Sequence, residues 1–447
     1  MIDWEAVQTE VKDYLQSLLR IDTTNPPGNE TRAAEYLSEV LVWEDYEPLI
    51  TESEPGRGNV TARLQGGPEP PLLLLGHTDV VASEPDKWTY PPFSGAVSDG
   101  CIWGRGALDM KNMVAAELMV MVLLKREGIK LNRDVIFAAT ADEEAGKGEH
   151  GPGWLLDNHP EQIAAPFIIT EGGGADLHMG DAHFFTCQTG QKGICRMRIR
   201  AKGTPGHGSI PHTDNAVVKL CQAMGALDGV QLPMHPGATV QAFIEGIAAT
   251  QDESTAAMLR DVLVPEKSAA ALQDLSLDAD LKAQLGAVMR NTASVTMLDA
   301  GSKINVIPTE ATAWIDGRLA PGQTQESFIA ELRPYIGDEV EVEVDQYSPP
   351  LEASADTELY RTIVGVMGQQ APEATVIPTI SNGGTDAKHI VPRRPDTQVY
   401  GFMPYRQTPG LEEMKLIHGH DERTSLENLL FATRVLYDIV CRFGGLT

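Results

Sequence analysis

The chain has 447 residues, with 63 acidic against 35 basic side chains and a formal charge of -28. That length calls for two domains rather than one, and that charge excludes nucleic acid and an anionic membrane as partners. The five cysteines, Cys101, Cys187, Cys195, Cys221 and Cys441, are scattered with no CxxC spacing; this excludes a disulfide framework or a thiolate metal site and predicts a reducing cytoplasm.

The N-terminal stretch MIDWEAVQTEVKDYLQSLLRI has no basic start and no continuous apolar core. It reads as an amphipathic helix from about Asp3 to Leu19, not a signal peptide. No apolar run approaches the about 20 residues that a membrane span needs. Pro26, Pro27 and Gly28 mark a loop, and Glu30 to Trp43 has helical spacing. Asn59 to Leu64 and Leu72 to Leu75 read as strands, the second buried on both faces. Met113 to Arg126 reads as a helix. Asp134 to Thr140 and Phe167 to Thr170 are further buried strands. Strands alternating with helices predict a largely parallel α/β sheet.

The texture changes after Cys187. GICRMRIRAKG, from Gly193, alternates strictly and predicts a half-exposed strand. Asn215 to Leu227 reads as a helix, Thr292 to Leu298 and Ala311 to Arg318 as strands, Thr324 to Ile336 as a helix, and EVEVEV from Glu339 as a strand. That order, β-α-β-β-α-β, is the split ferredoxin-like unit, with extra helical material from about Gln251 to Leu285 inside it. After Pro349 the first texture returns: a helix near Glu358 to Met367, strands near Thr375 and Gln398, and a last helix from Leu426 to Arg442. The expected division is therefore a large domain over 1–187 and 349–447, with a small α+β domain over 188–348 inserted in it.

Chemistry gathers at the strand ends. His77 directly follows the buried run Leu72 to Leu75, where open α/β sheets place their ligands. Asp79 is close enough to take its second ring N–H, as carboxylates behind metal-bound imidazoles do. Asp109 ends the next loop. Asp142, Glu143 and Glu144 follow one buried strand and Glu171 follows another. LIHGHDERTSLENL adds His418, His420 and Glu422 before the last helix. Each alone would read as a solvated surface group. Together they are two imidazoles and several carboxylates without cysteine, the donor set for Zn²⁺, Co²⁺ or Mn²⁺, in the arrangement of a two-metal hydrolase. Of the adjacent Glu143 and Glu144, one can bind metal while the other stays free as a general base.

The chain resembles the M20 family of metallopeptidases and amidohydrolases, to which aminoacylase-1, carboxypeptidase G2, acetylornithine deacetylase, succinyl-diaminopimelate desuccinylase and carboxypeptidase S belong. The resemblance rests on GHTDVV, GRGALDMK, ADEEAG, TEGGG, GTPGHGS, NVIP, the Asp-x-Arg before Pro321–Gly322, GGTDA and HGHDER, in family order over nearly the whole chain. It implies a mainly parallel di-metal hydrolase domain with an inserted ferredoxin-like domain that serves as lid and dimer contact. It also implies that His77 and Glu171 hold one ion, that Glu144 and His418 hold the other, and that Asp109 bridges them. Glu143 is then the general base and Asp79 orients His77. His418 is preferred to His420 because the family's His stands four residues before the Glu that is Glu422 here. A cis peptide is implied after Asp109. Zinc is the expected ion, with cobalt or manganese as alternatives.

In relatives a His matching His207 reaches the partner subunit's active site in a dimer and steadies the oxyanion, and an Arg matching Arg318 clamps a substrate carboxylate. Asn305 and the glycine loop Gly383–Gly384 match substrate-contacting positions. Taken alone, His207 would cap the following helix and Arg318 would make a surface ion pair. The remaining histidines, His150, His159, His178, His183, His212, His235 and His389, read as structural or surface groups. The expected activity is hydrolysis of an amide or peptide bond next to a free carboxylate, in an N-acyl amino acid or a short peptide. A di- or tripeptidase that reads a free amine, and a non-catalytic binding protein on the same scaffold, are the alternatives. The extra helices resemble those of the aminoacylase and carboxypeptidase S branch.

Overall fold

Apolar strands bounded by turn residues build the larger part of the molecule. The computed structural model describes residues 2–146, 148–277 and 279–446. The chain divides into two compact units, one made of Met1–Thr189, Ala353–Thr379 and Thr385–Thr447, the other of Gly190–Glu352 and Ile380–Gly384.

In the first unit a sheet runs in the order Leu49–Glu52, Gly58–Leu64, Arg133–Thr140, Glu69–His77, Phe167–Thr170, Gln398–Gly401 and Ala182–Gln191. Its centre is parallel: Glu69–His77 pairs in parallel with both Arg133–Thr140 and Phe167–Thr170, and Phe167–Thr170 with Gln398–Gly401. The flanking pairs are antiparallel. Leu72 to Leu75 are fully buried, as their unbroken apolar run predicts for a strand covered on both faces. The helix Lys111–Arg126 packs on this sheet and against the helices Trp4–Leu19 and Leu426–Phe443. Close packing leaves no room at Gly76, where a Cβ would lie 2.6 Å from Val114 Cγ2. The strand Ala182–Gln191 is one that the sequence shows only as a change of texture. Among the described residues no helix is long and apolar enough to cross a membrane.

The second unit holds an antiparallel sheet in the order Thr292–Ala300, Glu310–Leu319, Gly193–Lys202 and Val340–Ser348. The helices Ala216–Gly225 and Gln325–Ile336 supply Leu220, Ala223, Phe328 and Leu332 to a core with Met197, Ile199, Ala313 and Ile315. This is the expected ferredoxin-like unit. Four helices, Ala238–Ala248, Glu253–Asp261, Pro265–Asp274 and Ala279–Val288, separate its first helix from its second strand, so the extra material starts earlier than Gln251. GICRMRIRAKG, a candidate for the exposed edge or face of this unit, supplies a face and not an edge: Gly193–Lys202 is paired on both sides, and the edges are Thr292–Ala300 and Val340–Ser348. Its outward Arg196 and Arg198 are in ion pairs with Asp316, Glu343 and Asp345.

Candidate active site

The carboxyl ends of three adjacent parallel strands deliver His77, the pair Glu143–Glu144 and Glu171 to one place. His77 is the last residue of its strand and is buried. Its Nδ1 lies 3.0 Å from the main-chain oxygen of Asp79 and 3.4 Å from Asp79 Oδ1. The nearer acceptor is thus the carbonyl rather than the expected carboxylate, because the chain turns back on itself directly after the strand. The Asp79 carboxylate is engaged elsewhere. It accepts from Asn25 Nδ2 at 2.8 Å and from the main-chain N–H groups of Glu143 and Glu144 at 3.2 and 3.1 Å. Asp79 therefore sets both the imidazole and the loop that carries the glutamates.

Asp109 lies between the two imidazoles. Its Oδ1 is 3.1 Å from His77 Nε2 and its Oδ2 is 3.1 Å from His418 Nε2. His418 Nε2 is also 3.2 Å from Glu144 Oε2, and His77 Nε2 is 3.8 Å from Glu171 Oε2. The Asp109–Met110 peptide is cis, as the resemblance implies. Glu422, paired with Arg105, accepts from the main-chain N–H groups of Leu108 and Asp109 at 2.7 and 3.2 Å and so fixes the bend before the bridge position. His420 points at Glu84, 3.0 Å away.

The residues fit divalent ions. His77, Asp109 and Glu144 converge, as do His77, Glu143 and Glu171, with donor atoms in each group within 4.8 Å of one another. The buried Glu144 Oε1 has no hydrogen-bond partner among the described residues. The array is also short of positive charge. Burial, then the charge of Asp109, pushes Glu171 up to about 8, and hydrogen bonds to Asp109 and Glu144 push His418 up to about 10. Burial works against a charge on Asp109, yet hydrogen bonds from His418 and His77 hold it well below the usual carboxylate range. Cations placed among these carboxylates relieve that imbalance.

Two residues escaped the sequence reading. Lys388 Nζ donates to Glu143 Oε1 at 2.6 Å in a buried ion pair. Asp386 accepts from Thr140 Oγ1 at 3.2 Å; burial, then the charge of Glu143, raises it to about 7. Both stand in GGTDAKH, where only the glycines drew notice. An apolar cleft leads away from Asp109 and Glu171 along Met113, Met403, Tyr405 and Met414. The three glycines after Glu171 lie under this wall. At Gly174 (φ 95°) a Cβ would fall 2.0 Å from the main-chain oxygen of Met403, so only glycine fits.

The other candidates lie in the second unit. His207 is exposed, and its Nδ1 lies 2.8 Å from Ser209 Oγ. Its loop runs beside Asn305, whose main-chain oxygen accepts from the N–H of Gly208 at 2.9 Å. Arg318 donates from Nε to Asp316 Oδ1 at 2.6 Å within its own strand. Gly384 is half-buried.

A parallel α/β sheet whose strand ends gather imidazoles and carboxylates, with a ferredoxin-like insert, is the architecture of a metal-dependent hydrolase. The chain matches the model of Peptidase family M20/M25/M40 over residues 73–442 and belongs to that family, whose members hydrolyse amide and peptide bonds. It is 28% identical over 444 residues to the N-fatty-acyl-amino acid synthase/hydrolase PM20D1 of Xenopus tropicalis, covering 95% of this chain and 84% of that one. Its fold is similar to the M20 metallo-carboxypeptidase Sso-CP2 of Sulfolobus solfataricus, at 19% identity and a TM-score of 0.71, with 98% and 100% of the two chains covered. It is also similar to the YXEP protein of Bacillus subtilis, described as a dinuclear metal binding peptidase, at 14% identity and a TM-score of 0.62, with 98% and 97% covered.

Proposed function

We propose that the chain hydrolyses the amide bond of an N-acyl amino acid with an apolar acyl group, or the last bond of a short peptide, next to a free carboxylate. The observation that carries the hydrolytic centre is the split of Asp109, one oxygen toward each imidazole at 3.1 Å. His77 and Glu171 would hold one divalent ion, Glu144 and His418 a second, and Asp109 both; zinc is the expected metal. Such ions supply Lewis acidity, which acidifies water and polarises a carbonyl. Glu143 takes the proton of the attacking water at Oε2, since Lys388 occupies Oε1, and returns it to the leaving nitrogen. Lys388, donating to Oε1, holds that carboxylate in place. The methionine-lined cleft beside Asp109 and Glu171 suits an apolar acyl chain or side chain, in keeping with the substrate named for the Xenopus relative. We read the active form as a homodimer in which His207 steadies the oxyanion in the neighbouring copy.

Arg318 is the proposed reader of the substrate carboxylate, and its ion pair with Asp316 makes this a sharp test. An N-acyl amino acid and its carboxamide are compared in the zinc-loaded wild type and Arg318→Ala. Loss of a charge-assisted clamp costs about 2–3 kcal/mol, so KM for the acid should rise by about 30- to 150-fold while that for the carboxamide barely moves. Equal effects on both substrates would make Arg318 structural and favour a dipeptidase that reads a free amine.

A further inference from the structure

Two neighbours in sequence, Glu143 and Glu144, are given different work above, so the loop that carries them has to be fixed. It turns at Asp142, just past the strand Arg133–Thr140, with a left-handed φ of 72°. Asp tolerates that conformation better than most residues do. Beyond the turn the main-chain N–H groups of Glu143 and Glu144 both face the Asp79 carboxylate. Asp142 is buried, and both of its oxygens are engaged. Its Oδ2 accepts from the N–H of Glu149 at 2.9 Å, which ties the far end of the loop back to the turn. Its Oδ1 accepts from Asn25 Nδ2 and from Arg57 Nη2, each at 3.3 Å.

Arg57 comes from another part of the chain and is itself pinned. Its Nε and Nη2 donate to Glu30 Oε2 and Oε1, both at 2.8 Å, the two-pronged pairing that a guanidinium offers a carboxylate. Glu30 and Arg57 are buried. Arg57 thus bridges two buried carboxylates, one at the end of the loop that Pro26, Pro27 and Gly28 mark, the other at the turn before the glutamates. Asn25, which opens that same loop, donates from Nδ2 to Asp79 Oδ2 at 2.8 Å as well as to Asp142. Next to Arg57 in space and sequence, Asn59 accepts from the N–H of Ala141 at 3.0 Å and donates to the main-chain oxygen of His150 at 2.8 Å. A buried ion pair is a weak source of stability, since an apolar pair of like volume holds a fold as well. An apolar pair could not bond Asp142.

We propose that Arg57 is a positioning residue for the metal centre. Held by Glu30, it fixes the Asp142 carboxylate and with it the turn that aims Glu144 at its ion and leaves Glu143 to act as base. It works through the main chain of the loop, not by touching metal or substrate. The inference rests on the division of roles between Glu143 and Glu144 proposed above.

The test reads zinc affinity, by competition with a chromophoric chelator, in wild type, Glu30→Leu/Arg57→Met, Asp142→Asn and the variant that combines them. Replacing both members of the pair avoids the unpaired buried charge that Arg57→Met alone would leave. Asp142→Asn keeps the size and the left-handed turn, but it must present an amide N–H₂ group either to the Glu149 N–H or to Arg57. Each change should weaken the binding of one ion by at least about tenfold. The combined variant should be no weaker than the worse of the two, because Arg57 acts through Asp142. Wild-type affinity in Glu30→Leu/Arg57→Met would overturn the role of Arg57 whatever Asp142→Asn does, and additive losses would overturn the route through Asp142. Wild type that binds zinc but leaves N-acyl amino acids intact would refute the proposed substrate alone, and the affinities would still decide on Arg57. Wild type that binds no zinc would overturn the centre and this inference with it. If the pair variant fails to fold, Arg57→Lys replaces it. It keeps a charge beside Glu30 but not the fork; it should weaken the same ion, and unchanged affinity would overturn the proposal equally.

Discussion

Glu117 is a carboxylic acid in a place built for a hydrocarbon. It lies within Lys111–Arg126, fully buried, and among the described residues neither of its carboxylate oxygens has a hydrogen-bond partner. Burial pushes its pKa well above the ordinary value of 4.5. With the folded value raised, the folded chain keeps a proton that the unfolded chain releases as pH climbs past 4.5. Stability from this group is therefore highest below 4.5 and falls as pH rises from there toward the folded value. Glu117→Gln has nearly the same shape and cannot ionise. Its melting temperature should exceed that of the wild type by about 2 °C more at pH 8 than at pH 5, measured by thermal unfolding in the two buffers. An equal offset at both pH values would mean that Glu117 does not titrate in this range. Asp79 shows the opposite case: a buried acid with every oxygen engaged, by Asn25 and two main-chain N–H groups, and held below its ordinary pKa against burial by His77.

At the scale of elements, half of the proposed centre is legible, because His77, the pair Glu143–Glu144 and Glu171 stand where a readable pattern stops. The apolar runs before His77, Glu143 and Glu171 can only be buried strands, and buried parallel strands bring their carboxyl ends to one edge. Asp109 and His418 lie on loops, and only the family motifs placed them. What stayed hidden depends on register or on a partner far away in sequence. Lys388 reaches Glu143 across 245 positions, and no local period announces such a pair. The alternation of Gly193–Lys202 gave the strand and its buried face, but its neighbours on both sides come from the distant strands Glu310–Leu319 and Val340–Ser348, so its central place was not readable. His178 and His183 read as structural or surface groups, and only the turn at Gly180 that sets them opposite each other shows that they stack.

The whole molecule poses two questions. The first is the assembly. The edge strand Thr292–Ala300 exposes Val295, Met297 and Leu298, at 38%, 59% and 63%, an unpaired apolar edge suited to a second copy. If His207 serves the neighbouring copy, mixing inactive His207→Ala with inactive Glu143→Ala under subunit exchange yields dimers with one intact site, and activity returns. If it serves its own chain, every site stays broken and mixing restores nothing. The second question is the division of labour in the pair Glu143–Glu144, and it reaches the centre of the account. Glu143 lies close enough to His77 and Glu171 to share an ion, yet Lys388 sits on its Oε1, which suits a base better than a ligand. The decisive measurement is metal content together with turnover in Glu143→Ala. The account predicts the same number of ions per chain as in wild type, with turnover of an N-acyl amino acid down by about 10²- to 10⁴-fold. Loss of an ion with that substitution would make Glu143 a ligand and contradict the mechanism.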